Sequence, residues 1–395
     1  VIYKEKLNFV KDFLSHSLKL LSSGLLTSIG FIVLASGGLN FIKSDIALQV
    51  ILFAQYQMIG LTVCKFGVDN QLYASFLVDA SKKYDPLCYM KNNGLYLALF
   101  FSLIIYFLEK DLLDSFLVFL LLILDVISIL IIVQLGARRL FEQVFLSNFL
   151  SYPLFFIVFL ILEFFMNLNK SEFILIFLLC SFIRFLITFK FYNQIVAIEL
   201  NPKLEFKLGI QQLLNYILFK YDQIIFSLGT VSMIWFGYNS DELQKYLFLT
   251  RFPELISGVL VSLVFLYGSE MVVTKREDFL NHINKNRLAI IFYLFLLALF
   301  FFVYLFFWKG NSIITYYDVL PYFLISVMII FVNMITLGML KVKKVNNLNF
   351  NLFLSIFLSI IFQILLMFLE IKSIVLWSVP LQMLFFIVLI LFKKK

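Results

Sequence analysis

The stretch FLVFLLLILDVISILIIV, residues 116–133, is apolar on every side and long enough to cross a lipid bilayer, with Asp125 as its sole ionisable residue. A spanning helix needs about 20 predominantly apolar residues, whereas a strand of a membrane barrel alternates apolar and polar side chains at every step. Residues 116–133 do not alternate, so the segment is read as a helix inside lipid. The rest of the chain repeats the pattern. Of 395 residues, 62% are hydrophobic and only 14% are charged, about half the charged share of a soluble domain. Twelve helices of about 20 residues each would occupy about three-fifths of such a chain, which matches its hydrophobic share. The composition excludes a soluble globular protein. It predicts an all-α polytopic membrane protein with short links and no sizeable aqueous domain.

Twelve apolar segments are predicted, the first six at about Phe13 to Phe41, Ile46 to Cys64, Asn93 to Leu108, Phe116 to Leu135, Phe141 to Met166 and Glu172 to Phe189. The second six lie at about Leu208 to Phe236, Leu243 to Gly268, Leu288 to Trp308, Val319 to Leu340, Leu348 to Leu369 and Ser373 to Phe392. This divides the chain into an N-terminal lobe, residues 1–195, a polar linker, 196–207, that contains Pro202, and a C-terminal lobe, 208–395. An even number of spans per half makes the halves parallel, as in transporters whose lobes rock about a central cavity.

Lys and Arg gather in alternate links: Lys65, Lys82, Lys83 and Lys91 after the second span, Arg138 and Arg139 after the fourth, Lys190, Lys203 and Lys207 after the sixth. The links between these hold one each, among them Lys43, Lys110 and Lys170. Cytoplasmic links carry the excess of positive charge, so both termini are predicted cytoplasmic. Trp235, Trp308 and Trp377 all fall near the outer ends of their spans, where amphipathic rings favour the interface. The N-terminus imitates a secretory signal, with Lys4, Lys6 and Lys11 ahead of an apolar run. That run is too long and is followed by further spans, so it is read as an uncleaved first span. A start at Val1 without Met suggests a trimmed or alternatively started chain. The net charge of +8 is assigned to cytoplasmic loops facing anionic headgroups, which makes membrane lipids the partner and requires no nucleic acid.

Several chemistries find no support in the sequence. Cys64, Cys88 and Cys180 form no close pair, which argues against a disulfide framework or a zinc cluster. His16 and His282 are the only histidines, far apart in the chain. No phosphate-binding loop or dinucleotide fingerprint is present, so neither a cofactor nor direct ATP drive is expected. The outer acidic residues Glu109, Asp111 and Asp114 are read as a solvated turn between two spans.

The informative residues are the ionisable ones within spans: Lys19, Asp125, Arg184, Lys220, Asp222, Arg251 and Glu254. At the bilayer centre each costs about 2.5–3.5 kcal/mol on insertion scales, so they are expected to face one another or a water-filled cavity. Arg251 and Glu254 flank Pro253 and share a helix face, whereas Lys220 and Asp222 point in different directions. Asp125 lacks a local partner, and it is read either as a titrating group or as a hydrogen-bonded structural carboxylate. Arg184, near the inner end of its span, is expected to snorkel to the headgroups. Pro153, Pro253 and Pro380 lie within spans as sites for kinks.

The pattern FKYDQIIFSLG, a Gly- and Tyr-containing turn, and then LQKYLFLTRFPELISGVL resembles the start of the second half of bacterial Wzx-type polysaccharide flippases. These belong to the multidrug/oligosaccharidyl-lipid/polysaccharide exporter superfamily. QMIGLTVCKFGVDNQLYASF is similar to their segment after span two, which carries a Gly-containing elbow. The resemblance implies a transporter, not an enzyme, that moves oligosaccharide linked to undecaprenyl diphosphate to the outer leaflet, coupled to an ion gradient. A polysaccharide polymerase and a chain-length regulator are its implied protein partners. In that family spans one, two, seven and eight line the cavity, so Lys19, Lys220 and Arg251 are the implied substrate-binding cations. Asp222 and Glu254 are the implied cavity or ion-coupling acids, and Asp125 is placed with them by its own reading as a titrating group in span four. A drug/cation antiporter of the same superfamily and a membrane-embedded polysaccharide-assembly enzyme are the alternatives. The first would be expected to carry a carboxylate within its early spans, the second an extramembrane catalytic cluster.

Overall fold

The computed structural model describes residues 44–69, 82–138, 140–166, 168–194, 198–200, 206–227, 316–341, 345–367 and 374–391, plus isolated positions at 30, 72, 249, 250, 253 and within 291–301. Helix α1 is Ser44–Lys65 and strand β1 is Lys82–Tyr84. Helix α2 comprises Pro86–Tyr89, a π-helical turn at Met90–Gly94, and Leu95–Glu109. Next come α3 (Leu112–Ala137), α4 (Phe141–Phe149), α5 (Tyr152–Met166), α6 (Lys170–Asn193), β2 (Ile198–Leu200) and α7 (Phe206–Ser227). After residue 300 come α8 (Tyr316–Lys341), α9 (Val345–Met367) and α10 (Ile374–Leu391). Among the described residues five stretches are long and apolar enough to cross a membrane: Pro86–Phe107, Leu112–Gly136, Glu142–Met166, Ser171–Asn193 and Asn347–Leu365. The protein is therefore an α-helical multi-pass membrane protein. The predicted spans one, eight and nine lie outside the described residues apart from isolated positions.

The chain divides into two compact units, one of Val1–Gly209 with Val261–Leu266 and one of Ile210–Leu260 with Tyr267–Lys395. In the first, α3 is the axis, packed against α1, α2, α4 and α6. The segment that reads as apolar on every side is central for that reason: Leu121, Leu122, Val126, Leu130, Ile131 and Leu135 are all buried. The outward face of α6 repeats Leu175, Leu179, Phe182 and Leu186, all exposed, at the three- and four-residue spacing of one helix stripe. Large apolar side chains turned outward are what a lipid solvent selects. Gly60 lets α1 approach closely, since a Cβ there would sit 2.7 Å from the Phe101 ring and 2.9 Å from Leu122.

Helix ends follow local chemistry. Asp111 caps α3 by accepting the Asp114 backbone N–H at 3.1 Å, and the Ser115 hydroxyl donates to its carbonyl at 2.6 Å. Asp111 is exposed, but Asp114 is buried, which corrects the reading of this turn as wholly solvated. Its carboxylate lies in the first turn of α3, where the helix dipole favours negative charge. Asn169 and Glu172 form a reciprocal capping box at the start of α6. The predicted fifth span is two helices. Pro153 has no N–H to continue the ladder and its ring clashes with the preceding turn, so α4 stops at Phe149 and α5 restarts at Tyr152.

At one end of the first unit β1 and β2 pair in parallel, with Lys82 opposite Ile198 and Tyr84 opposite Leu200. The Gln134 side chain, in the last turn of α3, completes this edge. Its Oε1 accepts the Tyr84 N–H at 3.0 Å and its Nε2 donates to the Tyr84 carbonyl at 2.9 Å. The Tyr89 hydroxyl donates to the Cys64 and Lys65 carbonyls at 2.6 and 3.0 Å, so the end of α1 meets the start of α2 there too. Burial pushes the Tyr84 phenol above its ordinary value, which keeps it neutral. Replacing Gln134 with Leu leaves two buried backbone groups without partners, at a cost of about 1–3 kcal/mol each. Hydrogen exchange at the Tyr84 amide is expected to speed up in that variant, and unchanged protection would show that the brace holds nothing.

At the Phe66–Gly67 step after α1 the chain turns sharply: Phe66 has φ 41° and Gly67 φ 81°, and Gly67 lies against the backbone of Leu208 and Gly209 in the first turn of α7. Within the second unit, α10 packs against both α8 and α9. One face of α9 is polar, with Asn351, Ser355, Ser359 and Gln363 buried at four-residue intervals. Gln363 donates to the Ser359 hydroxyl at 3.1 Å, and that hydroxyl donates to the Ser378 carbonyl of α10 at 3.2 Å, two residues before Pro380.

Candidate functional site

Asp125 sits midway along α3 and is fully buried. Its Oδ1 lies 3.2 Å from Arg184 Nη1 on α6, and its Oδ2 accepts from the Gln57 amide of α1. The Gln57 carbonyl in turn accepts from the Tyr152 hydroxyl, which also lies 3.5 Å from the Ala54 carbonyl. Arg184 Nη1 donates to Ser151 Oγ at 3.4 Å. Ser151 and Tyr152 stand at the α4–α5 break, so the break forced by Pro153 places both polar groups in the network. One ion pair and its hydrogen bonds thus tie α1, α3, the break and α6 together.

The surroundings of the pair differ along the helix axis. On the side away from β1 and β2, aromatic rings close over it: Phe177 lies 4.8 Å from Phe155, 4.9 Å from Tyr152 and 6.0 Å from Phe53, centroid to centroid. Toward the β1–β2 end the α3–α6 seam stays polar. The Thr188 and Ser128 hydroxyls are 3.5 Å apart, and Gln134 and Tyr192 lie further along, both buried. In low dielectric the attraction within the pair is strong, but so is the cost of removing two charges from water. The pair therefore acts as a constraint on which helices meet, and it can open only if each charge finds another partner.

This arrangement corrects one sequence reading. Arg184 does not snorkel outward: it is buried and paired with Asp125. Its side chain is long enough either to reach the interface or to cross to a neighbour, and the carboxylate beside it decides the direction. Lys220 occupies the single non-helical backbone position within α7, at φ −130° and ψ 16°, and is half-buried. The turn contains neither proline nor glycine. Lys19, Arg251 and Glu254, together with the Asp222 side chain, lie outside the described residues. Among the described residues no group of His, Cys, Asp and Glu is placed to hold a metal ion.

Gln57, Ser151, Tyr152 and Thr188 were missed by a sequence search confined to charged residues. One signal was present in the sequence. Ser181, Arg184, Thr188 and Tyr192 recur at three- and four-residue spacing in an otherwise apolar helix, and all four are buried. No family model, curated protein or solved structure matches the chain.

Proposed function

We propose that this protein is a transporter of the polysaccharide-flippase type, with twelve spans in two six-helix lobes and both termini on the cytoplasmic side of the inner membrane. Its cargo is an oligosaccharide linked to undecaprenyl diphosphate, and it contributes to surface polysaccharide assembly. The observation that carries this reading is Lys220, a cation within a predicted span that falls at the backbone break of α7. Unwound backbone within a membrane helix is tolerated where it borders protein or a polar cavity, and a diphosphate crossing a low-dielectric region needs cationic partners. The Phe66–Gly67 turn after α1 adds support, since the same family resemblance expects a Gly-containing elbow there. Lys19 and Arg251 are proposed to share cargo binding with Lys220. Asp125, Asp222 and Glu254 are proposed to tune the cavity or couple an ion gradient.

Deletion of the gene in its native cell tests this, with lipid-linked oligosaccharide and finished surface polymer measured together. The expected result is accumulation of completed repeat units on the inner leaflet and loss of surface polymer. Complementation with Lys220→Gln is expected to restore export on the order of tenfold less well than the native chain, as for losing one charge-assisted contact. Unchanged lipid-linked sugar with altered drug sensitivity would instead favour a drug/cation antiporter.

A further inference from the structure

We propose that the seam between α3 and α6 is a water-accessible route from the β1–β2 end of the first unit to the Asp125–Arg184 pair, with water and the protons it carries as its ligand. Helices α3 and α6 run parallel along it, and their contacts stay in register: Asp125 with Arg184, then Ser128 with Thr188. From Arg184 to Tyr192 is eight residues, which at 1.5 Å per residue puts the pair about 12 Å deep. Over that depth the seam offers hydroxyl and amide groups from both helices. Polar lining alone would be a weak signal, because hydroxyls in membrane helices usually bond to their own backbone. Thr188 does so, donating to the Arg184 carbonyl at 2.8 Å.

Two further observations point to water. Arg184 Nε and Ser147 Oγ are buried with no hydrogen-bond partner among the described residues. Ser147 is fully buried on α4, which packs against both α3 and α6. A buried guanidinium N–H and a buried hydroxyl each cost free energy while unpaired, and a water molecule that reaches polar partners at this level removes that cost. The access is also one-sided. Phe53, Tyr152, Phe155 and Phe177 pack beyond the pair on the far side, so a route that reaches Arg184 from β1 and β2 ends there. A static structural tie would not need the ring closure on one side.

Thiol labelling in sealed membrane vesicles of either orientation tests the route, with a small membrane-impermeant reagent. Cys64 and Cys88 are replaced with Ala and the native Cys180 is retained. Only a thiol in contact with water forms the reactive thiolate. Asn193→Cys, exposed at the end of α6, reports which face the reagent reaches. Thr188→Cys is expected to react from that same face on the order of tenfold faster than the lipid-facing Leu186→Cys. Cys180, one helical turn past Arg184 on the closed side, is expected to stay unreactive. The route is overturned if Thr188→Cys reacts no faster than Leu186→Cys while Asn193→Cys is labelled, or if Cys180 reacts as readily as Thr188→Cys. Should Thr188→Cys fail to accumulate, Ser128→Cys across the seam makes the same measurement. No cargo enters the experiment, so its failure leaves the flippase reading standing, and failure of that reading leaves the route testable.

Discussion

Replacing Arg184 with Met while Asp125 stays in place is expected to destabilise the protein by about 3–5 kcal/mol, because it strands a buried carboxylate. Oδ1 of Asp125 loses the guanidinium 3.2 Å away, and the neutral Gln57 amide on its other oxygen does not replace that charge. Asp125→Asn is expected to cost a comparable amount by leaving the cation unpaired, although Asn can still accept from Gln57. The informative variant is the double replacement Asp125→Leu with Arg184→Met. It removes both charges and both desolvation costs, so most of the single-variant loss should be recovered, as when buried ion pairs are exchanged for apolar residues of similar volume. Unfolding midpoints of the purified protein in one detergent give the four corners of the cycle. If either single variant matches the native protein, the pair carries no constraint and the four-helix tie is wrong.

Gly67→Ala is expected to lose on the order of 2–4 kcal/mol, from left-handed backbone strain and overpacking together. At φ 81° any side chain is strained, and the added Cβ would sit 2.6 Å from the carbonyl carbon and oxygen of Leu208. Those atoms are backbone in the first turn of α7 and cannot rotate away. Gly60→Ala is the control. Its Cβ would meet the side chains of Phe101 and Leu122 at 2.7 and 2.9 Å, which can shift in part, so a smaller loss is expected. Equal midpoints for the two variants would mean that the turn after α1 relaxes freely. If the flippase reading holds, Gly67→Ala should also impair export, since it disturbs the packing of this turn against Leu208.

Helix α3 could be read almost entirely from its own residues. An unbroken apolar run gave its extent to within a few residues, although Asp111 and Asp114, read as a turn, are its N-cap and part of its first turn. The fifth span was only half legible. Pro153 marked a kink, yet the sequence did not show that the chain would stop at Phe149 and restart at Tyr152, or that the break would offer Ser151 and Tyr152 to a guanidinium. Asp125 stood out by its charge, whereas its partner did not, because Arg184 is 59 residues away on a helix whose rotation about its own axis the local pattern leaves open. The glycine at position 67 was visible as an elbow through resemblance. Its contact with Leu208 was not, since the two come from segments far apart in the chain.

By itself the sequence determined that this chain lives in a bilayer as helices, roughly where most of the described helices begin and end, and which few residues cannot face lipid. Those are local properties: a helix satisfies its backbone hydrogen bonds within one segment, and transfer into hydrocarbon sums over the side chains of that segment. Only the tertiary structure decided which polar groups meet. Asp125 with Arg184, Gln57 with Tyr152 and Gln134 with the Tyr84 backbone each join different segments, and such pairings depend on the direction in which each helix faces. In lipid no hydrophobic force between helices sets that direction, so close packing at small residues such as Gly60 and the few interhelical polar bonds choose it together.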